Sequence, residues 1–242
     1  MKSAPAAAAT AAGTAAAVAA GYWSMMSPYS QLLGPFPFRG PGERREVALT
    51  FDDGPNEPHT SALADLLAEA SAQATFFQVG ACVERHPDVT ARLAAAGHVI
   101  ASHGYAHQFH RCWTRPALRS DLRQAHATFA RWLPRQPALY RPPWLVRVPS
   151  LRPLLREHQL TPVSGEFCHY LEVVQPSPHR IVDRVLRLVR PGSILIFHDG
   201  FDARGGDRAN TVAAVRRLLR ALPAAGYQLV TVDRLLDVPA YH

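Results

Sequence analysis

The sequence is poor in lysine, in cysteine and in dense runs of charge, and each shortage argues against a class of protein. Its 242 residues include one lysine, Lys2, so the formal charge of +7 comes almost wholly from arginine. The arginines are spread along several helical stretches without interleaved aromatics, a pattern that disfavours nucleic acid as a partner. The three cysteines form no CxxC pair, so neither a disulfide framework nor a thiolate metal site is indicated.

The N-terminal region has almost no charge. Residues 3–38 carry no charged side chain, and residues 6–20 are almost all alanine, with Lys2 in front of them. This predicts a targeting segment: a signal peptide with a cleavage site near Ala17-Val18-Ala19, or an uncleaved helix that associates with a membrane. An Ala-rich tail, disordered or helical, is the third alternative. We therefore divide the chain into a leader plus linker, residues 1–38, and one domain, residues 39–242, and expect an exported, cell-envelope protein.

The rest of the chain alternates short β-rich runs with longer helical patterns, which is typical of βα units around a parallel sheet. Helical periodicity is clearest over residues 61–72 and 210–225. Seven strands are predicted, at residues 47–51, 74–79, 98–102, 139–142, 161–165, 193–197 and 228–232. The length and the alternation together fit a single closed or nearly closed βα barrel.

Polar residues follow or end five of these predicted strands. Asp52 and Asp53 come after the first strand, and His103 and His107 come after the third. Segments 141–144, 166–170 and 198–200 stand at the ends of the fourth, fifth and sixth strands. The carboxyl ends of barrel strands meet on one face, where active sites are built, so we expect these side chains to converge.

Two of these segments could together hold a metal ion. One aspartate and two histidines can bind a divalent cation of the zinc type, with a further position open to water. Asp52-Asp53 and the pair His103 and His107 supply that set and leave one aspartate to accept a proton from water. Each segment also has an ordinary explanation, since Asp-Asp-Gly-Pro can form a turn and HxxxH side chains can be solvated or packed. Their joint occurrence favours hydrolysis.

Four segments, in order along the chain, resemble the motifs of the polysaccharide deacetylase family, which is named for its nodulation-factor deacetylase (NodB) homology domain. They are Thr-Phe-Asp-Asp-Gly at 50–54, His-Val-Ile-Ala-Ser-His-Gly-Tyr-Ala-His at 98–107, Arg-Pro-Pro-Trp at 141–144 and Leu-Ile-Phe-His-Asp at 195–199. The resemblance spans residues 47–236. It implies an α/β fold, a distorted seven-stranded (β/α) barrel with a parallel sheet and the active site at the C-terminal strand ends. The implied activity is metal-dependent removal of acetyl groups from N-acetylated sugars of a glycan.

The resemblance also implies roles for the residues at the first two motifs. By it, Asp53, His103 and His107 bind one divalent metal ion, and Asp52 is the general base. Zinc is the expected ion, with cobalt, nickel and manganese as alternatives, because this ligand set does not discriminate among them. Arg141 would pair with Asp52, and a permanent cation there lowers the pKa of a carboxylate and fixes its rotamer.

Further roles follow for the later motifs. The backbone of Trp144, next to Pro143, would stabilise the oxyanion, and His198 would protonate the leaving amine. The family's fourth motif is altered in residues 166–170, where Glu166 is expected to orient and charge-tune His198. In that family a Ser or Thr usually follows the first metal-binding histidine. The resemblance assigns that histidine to His103, which Gly104 follows here, without a hydroxyl to brace the loop.

Two other functions stay open. The two departures suggest a carbohydrate-binding protein with a degenerate site. Because a metal-activated hydroxide does not itself choose between these bonds, a hydrolase of O-acetyl esters or of a non-sugar amide is the other alternative. The sequence is compatible with each of these functions.

Overall fold

Eight strands and nine α-helices alternate along residues 4–242, which are the residues described in this computed structural model; Lys2 lies outside them. The strands are β1 Glu46–Asp52, β2 Thr75–Gln78, β3 Val99–Ser102, β4 Leu139–Tyr140, β5 Thr161–Pro162, β6 Glu166–Phe167, β7 Ile194–His198 and β8 Gln228–Leu229. The α-helices are α1 Ala4–Met26, α2 His59–Glu69, α3 Gly80–Arg85, α4 Pro87–Ala95, α5 Arg115–Trp132, α6 Leu151–Glu157, α7 Pro178–Leu188, α8 Ala209–Ala224 and α9 Val232–Leu236. Short 3₁₀ turns cover Phe109–Cys112, Pro143–Leu145 and Glu172–Val174.

All strand pairs in the sheet are parallel. The order is β5-β4-β3-β2-β1-β7-β6, and β8 pairs with the start of β1. The sheet curls into a half-barrel, so the predicted distorted (β/α) barrel is confirmed. Each of the seven predicted strands has a counterpart in the sheet. The two-residue β6 was not predicted, because Glu166–Phe167 is too short to show an alternating pattern.

Aromatic packing in the centre of the sheet holds the strands that carry the site. Phe51 stacks on Phe76 with ring centroids 5.0 Å apart, and Phe197 lies 5.8 Å from Phe51 on its other side. All three are fully buried, and burial of each such side chain contributes about 1.5–3 kcal/mol. This packing keeps β1 and β7 in register, so Asp52 is directly paired with His198 at their carboxyl ends.

The uncharged N-terminal region packs against the barrel over its second half. The described residues at 16–20 of α1 are exposed, whereas Ser27, Ser30 and Phe36 are buried. The buried guanidinium of Arg147 donates to the carbonyl oxygens of Ser27 and Pro28. Much of the predicted linker is therefore part of the folded domain.

The membrane-anchor alternative of the targeting prediction rests on α1. Within residues 4–242, no helix combines the length and apolar character needed to span a bilayer.

Candidate active site

Three buried side chains converge at the carboxyl ends of β1 and β3, as the sequence predicts. Nε2 of His107 lies 2.9 Å and Nε2 of His103 lies 3.4 Å from Oδ1 of Asp53. One ligand atom from each residue falls within 4.8 Å of the other two. Oδ1 of Asp53 is buried, yet it has no hydrogen bond of acceptable geometry. A buried oxygen without a hydrogen bond, facing two imidazole nitrogens, fits a divalent cation.

The two imidazoles are oriented from behind by oxygen atoms. Nδ1 of His103 lies 2.7 Å from the carbonyl oxygen of Arg141, so it carries the proton and leaves Nε2 free to bind a cation. Nδ1 of His107 faces Oδ1 of Asp202 at 3.3 Å, and the Asp202 amide donates to Oδ2 of Asp53. Asp202 is not among the predicted site residues, although its position as an acidic residue soon after the sixth strand was a usable signal.

The mutual electrostatic effects in this cluster are strong. Burial lowers the pKa of His107, but the carboxylates of Asp53 and Asp202 outweigh burial and raise that pKa to about 10. Burial likewise raises the pKa of Asp53, but His107 and His103 outweigh it and hold this pKa well below its usual range. The carboxylate of Asp53 and the imidazole of His107 therefore favour each other's charged forms.

The backbone around this cluster adopts conformations that side chains rarely allow. Asp53, His107 and Trp144 have φ angles of 74°, 46° and 50°, in the left-handed region. Such conformations persist when surrounding contacts hold them, and they concentrate at functional sites. Oδ1 of Asp199 accepts the Gly54 amide at 3.1 Å, and a Cβ at Gly54 would lie 2.0 Å from Oδ2 of Asp199. The Asp-Asp-Gly turn therefore requires glycine.

Asp52 is held by the predicted arginine. Nη1 of Arg141 donates to Oδ1 of Asp52 at 2.6 Å and to Thr50 at 2.7 Å, while Nη2 donates to the Ser164 carbonyl at 2.8 Å. The guanidinium lies 4.0 Å from the Phe77 ring centroid and is fully buried. Four contacts thus fix the arginine, and the arginine fixes one orientation of the Asp52 carboxylate.

The carboxylate that contacts His198 is Glu172, so the prediction that Glu166 does so is wrong. Oε2 of Glu172 lies 2.6 Å from Nδ1 of His198, and Thr211 on α8 donates to Oε1 of Glu172. Glu166 instead binds Arg39 at 2.6 Å and Ser193 at 2.7 Å.

Strand register explains the difference. Glu166 is paired with Leu195, three residues before His198, and three strand residues span about 10 Å. Glu172 reaches the histidine because the chain after β6 turns back through the 3₁₀ turn Glu172–Val174. The sequence signal for Glu172 was weak, because it consists of one acidic residue between the apolar Leu171 and Val173.

The loop between His103 and His107 is braced without a hydroxyl at position 104. Asp121 on α5 accepts the amide hydrogens of Tyr105 at 2.8 Å and Ala106 at 3.0 Å. Gly104 has a φ of +77°, and a Cβ there would lie 2.5 Å from Oδ2 of Asp121. A Ser or Thr side chain would collide with the carboxylate that supports this loop.

Most of the candidate site residues line one cavity of about 630 Å³. The lining includes six of the predicted site residues, namely Asp52, Asp53, His103, His107, Trp144 and His198. Arg141, Pro143 and Glu166 do not line it, and Pro142 does. The N-terminal segment adds Tyr22, Met26, Pro28 and Tyr29 to the wall.

Trp144 lines this cavity, and its ring lies against a candidate metal-binding histidine. The indole centroid lies 4.1 Å from that of His107. Within residues 4–242, the Trp144 amide donates to no acceptor outside its own turn. That amide is therefore available to a group bound in the cavity.

Comparisons with known proteins place this geometry in a family. The sequence profile of the family described as polysaccharide deacetylase matches residues 39–163. A peptidoglycan-N-acetylglucosamine deacetylase of Bacillus cereus is 32% identical over 197 residues, covering 81% of this chain and 90% of that protein. A chitooligosaccharide deacetylase of Rhizobium leguminosarum bv. trifolii is 31% identical over 192 residues, covering 76% and 89%.

A solved structure agrees with these relatives. A crystal structure of a peptidoglycan N-acetylglucosamine deacetylase, in complex with a naphthalenyl N-oxidanyl-benzamide, superposes with a TM-score of 0.79 at 26% identity. The superposition covers 86% of this chain and 95% of that one. With the family profile matching about half of its length and relatives above 30% identity over most of it, this chain belongs to the polysaccharide deacetylase family.

Proposed function

We propose that the protein is a metal-dependent hydrolase that removes acetyl groups from N-acetylated sugars of a polysaccharide. Peptidoglycan, a chitin-like chain and poly-N-acetylglucosamine are the substrate classes. The observation that carries the proposal is the buried convergence of Asp53, His103 and His107 beside two further pairs. One pair is Asp52 with Arg141, and the other is His198 with Glu172. Except for Arg141, all of these side chains and the three of the cluster line the same cavity.

Asp53, His103 and His107 would hold the metal ion, and zinc is the ion proposed. A divalent cation bound there would polarise the acetamide carbonyl and lower the pKa of water. Asp52, oriented by its hydrogen bond from Arg141, accepts the proton of the attacking water. The Trp144 amide donates a hydrogen bond to the developing oxyanion.

His198 protonates the leaving amine, which is a poor leaving group until it is protonated. Burial lowers the pKa of His198, but Glu172, with Asp53 and Asp52, outweighs burial and raises that pKa to about 9. The proton donor is therefore charged near neutral pH, as this step requires.

Replacing Glu172 by glutamine tests the pairing of Glu172 with His198. The protonated acid is present below the pKa of His198 and is lost as pH rises through it. Because glutamine removes the charge that raises this pKa, we expect the alkaline limb of the kcat profile to move about 1–3 pH units lower. The matched control is Glu166→Gln, which removes a carboxylate bound to Arg39 and should leave that limb in place. Equal shifts in both variants, or a shift in neither, would contradict the pairing.

We further propose that the protein is exported to the cell envelope. The catalytic domain would comprise residues 39–242 together with the packed residues 22–38. Residues 4–21 would then be the candidate targeting segment.

An acetate-release screen tests the function itself. Zinc-loaded protein is incubated with peptidoglycan, chitooligosaccharides, poly-N-acetylglucosamine, an O-acetylated glycan and an acetylated non-sugar amide. We expect acetate from at least one N-acetylated glycan, loss of release after chelation and recovery with added zinc. Acetate release from the O-acetylated glycan alone, or from the non-sugar amide alone, would show that the proposed substrate class is wrong. Glycan binding without turnover in fully metallated protein would support the carbohydrate-binding alternative.

A further inference from the structure

An arginine without an acidic partner lines the same cavity as the proposed catalytic groups. Arg184 lies on α7, and its side chain forms part of the cavity wall. Its Nε atom is enclosed and makes no hydrogen bond. Within residues 4–242, its two terminal nitrogens also make no hydrogen bond or ion pair, and they are not among the enclosed atoms. The guanidinium is thus enclosed at its Nε atom, and its terminal nitrogens have no hydrogen-bond partner among residues 4–242.

The surroundings of Arg184 hold it in place. Its guanidinium carbon lies 5.0 Å from the ring centroid of Tyr170, which supports the planar group from one side. Burial lowers the pKa of His169, and the positive charges of Arg184 and of Arg180, one helical turn earlier, lower it further. Of these three side chains, His169 and Arg184 line the cavity, so this wall carries the positive charge of Arg184.

The acidic residues of the cavity are already engaged elsewhere. The carboxylate of Asp52 is bound to Arg141, and that of Glu172 to His198. Asp53 faces the two candidate metal-binding histidines, and Asp202 faces the second of them. No carboxylate of the cavity lining is therefore left to neutralise Arg184.

We propose that Arg184 forms an anion-binding subsite, and that the preferred substrate is an N-acetylated glycan with an acidic substituent on the reacting sugar or its neighbour. This inference rests on the proposed function, because it identifies the substrate class of that same cavity. A carboxylate matches the planar two-nitrogen fork of arginine, and a phosphate group is also anionic and can accept the same pair of hydrogen bonds. Binding at a group remote from the acetamide helps to position the reacting bond.

A purely structural role for Arg184, stacking on Tyr170, predicts a different behaviour. Stacking would contribute to stability whatever the substrate, so its loss would affect neutral and acidic substrates alike. A subsite instead makes the effect of Arg184 depend on the charge of the substrate and on ionic strength. Kinetics on matched substrates separates the two roles.

The test compares Arg184→Gln with the wild type on three glycans of equal length. One is a neutral chitooligosaccharide, one carries a carboxylate as in muramic acid, and one carries a phosphate. We expect the wild type to prefer an acidic glycan. Arg184→Gln should lose about 10–100-fold in kcat/KM on that glycan and less than about 2-fold on the neutral one, as for loss of a hydrogen bond to a charged group. Arg187→Gln, an exposed arginine on the same helix, is the control and should change neither value.

The outcomes distinguish the subsite from the proposed function. An equal loss on neutral and acidic glycans, or no loss on either, overturns the subsite while acetate release still supports the deacetylase. If Arg184→Gln loses kcat/KM on only one of the two acidic glycans, the subsite is supported, and that glycan identifies the anion it binds. If no glycan releases acetate, the subsite can still be tested by calorimetry. The affinity of the acidic glycans is then compared between metal-loaded wild type and metal-loaded Arg184→Gln. Binding that weakens about 10–100-fold in the variant supports the subsite, and unchanged binding overturns it.

Discussion

Replacing Asp52 by asparagine is expected to lower the rate of acetate release by about 10²–10⁴-fold while the protein keeps its metal ion. Asparagine has nearly the same shape as aspartate but cannot accept the proton of the attacking water at neutral pH. The proposed metal ligands are Asp53, His103 and His107, so this change leaves all three in place. Acetate release and the metal content of the same preparation are the two measurements.

Two controls make this result specific. Asp53→Asn should lose the metal as well as the activity, because it removes the only carboxylate of the proposed ligand set. In Asp52→Asn the amide oxygen can still accept the hydrogen bond from Arg141, whose bonds to Thr50 and Ser164 remain. The fold should therefore persist, which thermal unfolding would verify. Full activity in a folded, metal-loaded Asp52→Asn protein would eliminate Asp52 as the base.

Deleting residues 1–38 is expected to destabilise the protein severely. The deletion removes Phe36, which is fully buried in a cluster with Tyr140 and Leu151, and loss of such an aromatic side chain alone costs about 3–5 kcal/mol. It also removes the carbonyl oxygens that accept hydrogen bonds from the buried guanidinium of Arg147, which adds to this cost. Typical domains unfold with only about 5–15 kcal/mol, so much of the stability should disappear.

Deleting residues 1–21 is the matched control. The described side chains at 16–20 are exposed, and this shorter deletion keeps Tyr22, Met26 and the carbonyl groups around Arg147. Its free energy of unfolding, from urea denaturation, should stay within about 0.5 kcal/mol of the full chain. Equal stability of both deletions would show that the packed segment contributes little to the fold.

Much of the fold and the centre of the site could be predicted because both depend on local pattern and on one geometric rule. Buried strands such as β1 and β7 are short apolar runs. Residues at or just after the carboxyl ends of parallel strands meet at one end of the barrel. That rule brings Asp52, Asp53 and His198 together without any knowledge of the loops. The Arg141 contact followed from the family resemblance.

The remaining features depend on contacts that no local pattern reveals. Glu172 reaches His198 only because of strand register and a 3₁₀ turn, whereas Glu166 was closer to the expected motif position. The loop that contains Gly104 is braced by Asp121, which lies on α5, 17 residues further along the chain. The buried segment around Phe36 is as uncharged as the leader before it, so composition alone could not separate the two.

The pairing of Asp52 with His198 across adjacent strands has a consequence for how such a protein could diversify. The two residues are register partners, and the amide of Asp199 donates to the carbonyl oxygen of Asp52 at 3.1 Å. The proposed proton acceptor and the proposed proton donor thus lie on two directly paired strands, with no loop between them in the sheet. New substrates can be accommodated by rebuilding the flanking loops and the N-terminal wall, while the spacing of the reacting groups stays constant.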